Sequence, residues 1–161
     1  VQDPHSIVSE ALFDNLEVKT PIDIVNNVII NKLRFDISQD IIFYPDDGAA
    51  KRYSDLIEFP YRFGIKHRNW KTGKIEKLEV SPTMISNKRD VLIVDDIASK
   101  GGTFLFSAKA LKELGYQDIY LYITHCENTI LEGELIGSGL LKKIYTTDSI
   151  FTKQHELIEV L

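Results

Sequence analysis

The chain has a single cysteine, a single methionine and a single tryptophan among its 161 residues. Cys126 alone excludes an internal disulfide and a cysteine-rich zinc centre, which suits a reducing compartment. No apolar run is long enough to span a bilayer, and no signal-peptide pattern is visible, so the expected location is cytoplasmic and no membrane partner is expected. Positive charge is also scarce. Nineteen Lys and Arg face 24 Asp and Glu, for a net charge of −5, so nucleic acid is not an expected partner. A bound polyanion would have to be held by a local site built from backbone amides, metal ions or a few basic side chains. Repeats and low-complexity tracts are absent, and the length suits one compact domain, with or without a short appendage.

What is present is an alternation of short apolar runs and helix-like segments. Ile41–Tyr44, Val91–Val94, Ile119–Thr124 and Lys143–Thr147 read as buried strands, with Tyr61–Arg68 as a further strand before a polar tip at residues 71–74. Helices are expected over Ser6–Asp14 with Ser6 as N-cap, from Pro21 to Leu33 with Thr20 as cap, and over Ala49–Ile57, Thr103–Leu114 and Thr129–Ile136. Phe104, Phe106, Leu111 and Leu114 are expected on the inner face of the fourth of these, and Gly115 ends it. Strands alternating with helices imply an α/β fold: three layers, with a mainly parallel sheet covered by helices on both faces. In such sheets ligands bind beyond the carboxyl ends of the strands. Asp46-Asp47, Asp95-Asp96 and His125 all fall at those ends.

The most informative segment runs from Val91 to Thr103, VLIVDDIASKGGT. A buried strand delivers two carboxylates, then a loop containing Gly101-Gly102 leads into a helix. Glycines allow positive φ and bring amides close to a ligand, and successive amides at a helix N-terminus form a phosphate site. The carboxylates can accept hydrogen bonds from vicinal hydroxyls. Phosphate at one end and sugar at the other describe a receptor for ribose 5-phosphate. A Walker B strand is disfavoured because no GxxxxGK[ST] occurs, and a receiver domain because too little chain follows. The structurally bland reading is a capped helix after a strand, with two solvated aspartates.

This segment resembles the phosphoribosyl diphosphate (PRPP) signature of type I phosphoribosyltransferases and PRPP synthetases, with two departures. Ser99 stands where synthetases usually carry an acid, and Lys100 where a small hydroxyl residue is usual. Other segments resemble the ribose-phosphate pyrophosphokinase (PRPP synthetase) family in the same order: Asp3-Pro4-His5-Ser6, Pro45-Asp46-Asp47-Gly48-Ala49 with Lys51-Arg52, Lys66-His67-Arg68, Thr124-His125, and Tyr145-Thr146-Thr147-Asp148-Ser149-Ile150. The resemblance covers almost the whole chain and corresponds to the C-terminal half of that family. It implies a type I phosphoribosyltransferase-like fold at residues 21–161, with residues 1–20 as the remnant of a preceding lobe. The opening Val1-Gln2-Asp3, without initiator methionine, likewise reads as the middle of a longer polypeptide.

The resemblance also implies roles. Asp95, Asp96, Ser99, Lys100, Gly101, Gly102 and Thr103 would bind ribose 5-phosphate. His5, Asp47 and Gly48 would bind ATP or its diphosphate, Asp46 and His5 would contact Mg²⁺, and Lys66 and Arg68 would be catalytic. The implied reaction transfers diphosphate from ATP to ribose 5-phosphate to give PRPP, in an enzyme that is homo-oligomeric at full length; the isolated chain would be weakly active or inactive. A PRPP-using phosphoribosyltransferase and a non-catalytic regulatory homologue remain alternatives. Taken singly, each residue has a plainer reading: turn residues at Asp46 and Asp47, a solvated strand edge at Lys66 and Arg68, which share a face if the strand is regular. His125 is expected only to orient a neighbouring loop, Cys126 to be a small core or near-surface hydrophobe, and His67 and His155 receive no role.

Overall fold

The computed structural model describes residues 1–6, 8, 11–73, 75–82 and 89–161, with the backbone alone at Arg68 and Ile75. Seven strands form one sheet in the order β3-β2-β1-β4-β5-β6-β7. These are β1 (Ile41–Tyr44), β2 (Tyr61–Arg68), β3 (Ile75–Val80), β4 (Val91–Ala98), β5 (Ile119–Cys126), β6 (Lys143–Thr146) and β7 (Ile158–Val160). Every neighbouring pair is parallel except β2 and β3, an antiparallel hairpin whose turn holds residues 71–73 of the polar tip anticipated from the sequence, residue 74 lying outside the described residues.

Side-chain alternation along the strands divides the core into two. Ile41 and Phe43 of β1, Val91 and Ile93 of β4, and Ile119, Leu121 and Ile123 of β5 face one side. There they pack on Phe104, Leu105, Ala108 and Leu111 of helix α3 (Gly102–Glu113) and on Leu135 of the short helix α4 (Glu134–Gly137). Ile42, Tyr44, Leu92, Val94 and Tyr122 face the other side. They meet Ala49, Ala50 and Tyr53 of α2 (Asp47–Tyr53), and Val25, Val28 and Ile29 of α1 (Ile22–Asn27) and its π-helical extension Val28–Leu33. Continuous apolar strands are therefore buried on both faces, as a parallel sheet requires. The expected three-layer α/β architecture is the one observed.

The helix that follows β1 leaves on one face and the helix that follows β4 leaves on the other. Because β1 and β4 are neighbours, their carboxyl ends open a crevice between diverging connections, the position where such sheets bind ligands.

Several expected boundaries are corrected. Of the expected Ser6–Asp14 helix, residues 7, 9 and 10 lie outside the described residues, and residues 11–14 are not helical. Thr20 does not cap α1; Pro21 occupies the cap position without a side-chain bond. Helix α2 begins two residues before Ala49 because the Asp46 carboxylate accepts the Ala49 amide at 3.0 Å and caps it. The expected Thr129–Ile136 helix is divided into a 3₁₀ turn (Asn128–Glu132) and α4, with Gly133 extended between them. Phe106 is exposed, and Leu105 and Ala108 take the buried positions on α3 instead. Strands β4 and β5 run further than their apolar cores, through Ala98 and Cys126. Among the described residues no helix is long and apolar enough to cross a membrane.

The first residues are tied to this framework by a buried carboxylate. Asp3 is 4% exposed and accepts hydrogen bonds from Tyr53 Oη at 2.8 Å and Thr124 Oγ1 at 2.5 Å. Its amide bonds the Lys19 carbonyl, and the Gln2 carbonyl accepts from His125 Nε2 at 3.0 Å. Removing Asp3 leaves two buried hydroxyls without their acceptor, which costs about 1–3 kcal/mol. Asp3→Ala is therefore expected to lower the urea midpoint by that equivalent with an unchanged m-value; a midpoint equal to the parent's would mean that the anchor contributes nothing.

Candidate functional site

A cavity of about 460 Å³ lies at the carboxyl ends of β1 and β4. It is lined by His5, Asp46, Gly48, Asp95, Asp96, Ser99, Lys100, Gly101 and Thr103, all of which were singled out in the sequence. Gly102 begins α3 beside it, and Asp47 does not line it. Asp47 lies in the first turn of α2, where its carboxylate pairs with Lys51 at 2.6 Å, one helical turn further on.

The loop between β4 and α3 has the form of an anion receptor. Its N-cap, Gly101, has φ 78°, a left-handed conformation that suits glycine. A Cβ there would also stand 2.7 Å from Leu135 Cδ2. The first amides of a helix have no intrahelical acceptor, so those following Gly101 are available to a ligand. The loop is backed by the segment after β5. Gly133 lies so close to the Lys100 carbonyl oxygen that a Cβ would be 1.9 Å from it. Ser99 Oγ meets Thr129 Oγ1 at 3.2 Å, and Lys100 Nζ stands 3.8 Å from Glu132. This close approach leaves no room for a side chain at residue 133.

The two adjacent aspartates are in different electrostatic states. Asp96 is 2% exposed, and a single oxygen, Oδ2, receives both Arg52 Nη1 and His5 Nδ1 at 2.5 Å. Burial opposes its ionisation, but the bonds from Arg52 and His5 outweigh burial and hold its pKa below the usual carboxylate value. Asp95 has no cationic partner among the described contacts. Burial, and then the charge of Asp96, push it up to about 7. At Asp46 burial is again outweighed, by Lys66 Nζ at 2.7 Å and the Ala49 amide, so its pKa is lowered.

Lys66 thus reaches the site through Asp46 without lining the cavity. Arg68 cannot be assigned in the same way. The pairing register with β3 shifts between His67 and Arg68, where Glu76 of β3 is passed over, and the Arg68 side chain lies outside the described residues. Among the described residues, no three His, Cys, Asp or Glu side chains converge as a metal-holding cluster. In the sequence Arg52 is part of the segment that resembles the family's loop, with no role of its own implied. Its signal was its place at the end of the helix that Asp46 starts. His125 bonds the Gln2 carbonyl and Ser149 Oγ, the latter at 2.8 Å, and so links the N-terminal segment to the loop after β6. Cys126 is buried in the core.

A scan of protein-family profiles finds no match. The ribose-phosphate pyrophosphokinase of Pyrococcus abyssi is 33% identical over 100 residues, 60% of this chain and 34% of that protein. The ribose-phosphate pyrophosphokinase of Sulfolobus acidocaldarius is 29% identical over 157 residues, 93% of this chain and 51% of that protein. This chain is related to the ribose-phosphate pyrophosphokinases. It spans between about a third and a half of the length of the pyrophosphokinases it matches. The phosphoribosylpyrophosphate synthetase of Mycobacterium smegmatis superposes with a TM-score of 0.76 at 18% identity, over 99% of this chain and 52% of that one. The adenine phosphoribosyltransferase of Leishmania tarentolae superposes with a TM-score of 0.53 at 13% identity, over 81% of this chain and 72% of that one. The fold is that of the type I phosphoribosyltransferases, shared with the pyrophosphokinases.

The raised pKa of Asp95 has a consequence for stability. Folded Asp95 keeps its proton up to about 7, whereas the unfolded group releases it near 3.8, so its contribution to stability falls as pH rises through that window. Asp95→Asn removes this cost. The variant is expected to have a higher thermal midpoint than the parent at pH 8, with the difference shrinking towards pH 4. A pH-independent difference would assign the effect to packing instead.

Proposed function

We propose that the crevice between β1 and β4 binds ribose 5-phosphate, as part of a ribose-phosphate diphosphokinase. That enzyme moves the β,γ-diphosphoryl group of ATP to the anomeric hydroxyl of the sugar, giving PRPP and AMP. The observation that carries the reading is the shared cavity: Asp95 and Asp96 at one end and the Ser99–Thr103 loop at the other. The loop amides and Thr103 take the 5-phosphate, with the Lys100 cation beside it. The two carboxylates accept the ribose hydroxyls and so fix the direction of the 1-hydroxyl. Oδ2 of Asp96 is occupied by Arg52 and His5, so its other oxygen serves the sugar.

Phosphoryl transfer depends mainly on positioning and on stabilising developing charge. Lys66 stands beside Asp46 and is the described cation best placed to meet a diphosphate there. Arg68 shares this role in the reading. Gly48, which lines the cavity, allows a phosphate chain to approach the start of α2, and Asp47 contributes from its first turn. Magnesium fits these surroundings in a limited way. It binds through one or two carboxylates and substrate phosphates while keeping waters, so Asp46 could hold it directly and His5 through a water. When bound, it would neutralise charge on the diphosphate. Assembly into a homo-oligomer and a cytoplasmic location complete the reading.

Calorimetric titration with ribose 5-phosphate tests it. The parent chain and Lys66→Ala are expected to bind the sugar alike, because Lys66 acts on the diphosphate, whereas Asp95→Ala with Asp96→Ala loses binding. In the full-length protein carrying the same changes, Lys66→Ala is expected to lower turnover by roughly 10²–10³, the usual effect of removing one charge-stabilising group. Equal loss of sugar binding in Lys66→Ala would contradict this division of roles.

A further inference from the structure

Arg52 occupies a junction that none of the assigned roles uses. It closes the last turn of α2 and touches three separate parts of the chain. Nη1 bonds Asp96 Oδ2 of β4 at 2.5 Å, and Nη2 bonds the His5 carbonyl at 2.8 Å. Its guanidinium carbon stands 5.4 Å from the centre of the Tyr53 ring, and the Tyr53 hydroxyl is held by Asp3. The fork is thus fixed at both ends and against an aromatic plane, an arrangement that arginine makes and lysine cannot reproduce. It lines the ribose-phosphate cavity and also the neighbouring one, of about 450 Å³, beneath the N-terminal segment.

We propose that Arg52 is a positioning residue for sugar recognition. By gripping Asp96 on one oxygen and the His5 backbone on the other side, it sets the carboxylate that reads the ribose hydroxyls and holds the N-terminal segment over the cavity. The phosphate end of the site does not depend on it. That end is built by the loop after β4, which is backed by Gly133, Thr129 and Leu135. The inference rests on the ribose 5-phosphate reading and divides that site into a half oriented by Arg52 and a half that is independent of it.

The test compares two probes, ribose 5-phosphate and inorganic phosphate, on the full chain. Arg52→Gln is expected to weaken ribose 5-phosphate binding by about 10- to 100-fold, the loss seen when a group that orients a metal-holding side chain is removed. Inorganic phosphate affinity is expected to stay unchanged. Arg52→Lys restores part of the sugar affinity, because one ammonium can still pair with Asp96 but cannot also hold the His5 carbonyl. Loss of both probes in parallel, in either variant, would make Arg52 a phosphate ligand or a general support of the fold, and would overturn the proposal. Retention of full ribose 5-phosphate affinity in Arg52→Gln would overturn it too. If the parent chain itself binds the two probes equally, the sugar reading fails at its base, an outcome distinct from either of these.

Discussion

The site depends on one carboxylate oxygen. Asp96 Oδ2 receives Arg52 from α2 and His5 from the N-terminal segment, at a position where the side chain is 2% exposed. A buried carboxylate without such partners would be driven to keep its proton, as its neighbour Asp95 is. With them it stays ionised and fixed in direction. The same two bonds hold three elements together, because α2, β4 and the first residues have no other shared polar centre at that rim among the described contacts. Breaking one partner would leave buried charge uncompensated, so the arrangement is more sensitive to removal of a member than its small size suggests.

Around this point the fold supplies the rest by simple means. Diverging helices after β1 and β4 open the crevice. Asp46 caps the helix on one side and Gly101 starts the helix on the other, so each wall of the cavity is also a helix terminus. The loop after β4 is backed by the chain that follows β5, which presses a glycine against the Lys100 carbonyl. Lys66 and Asp46 neutralise one another across the mouth, so a diphosphate or a cation arriving there competes with an existing ion pair.

Much of this was legible in the sequence. Strands such as Ile41–Tyr44 and Val91–Val94 are apolar on every residue, which only a sheet covered on both faces explains, and Asp46, Asp95 and the glycine loop were marked by their place after them. The sequence was silent where the cause lies far along the chain. Strand β3 mixes Glu and Lys with apolar residues as an edge does, without regular alternation, and it reads as polar surface until β2 pairs with it. The 129–136 region has helical composition, yet the helix is broken at Gly133, where the Lys100 carbonyl, some thirty residues away in the chain, leaves no room for a side chain. Arg52 looked like an ordinary helix-end cation; its importance comes from His5 and Asp96, 47 and 44 residues away. The extra residue of β3, Glu76, which shifts the register against His67 and Arg68, left no mark in the sequence either.

The most direct measurement is a crystal structure of the chain with ribose 5-phosphate. The account predicts the phosphate against the amides that follow Gly101, and the ribose 2- and 3-hydroxyls on Asp95 and on the Asp96 oxygen that Arg52 leaves free. A sugar bound in the opposite direction, or a phosphate held by Arg52 and Lys66 instead of the loop, would contradict it.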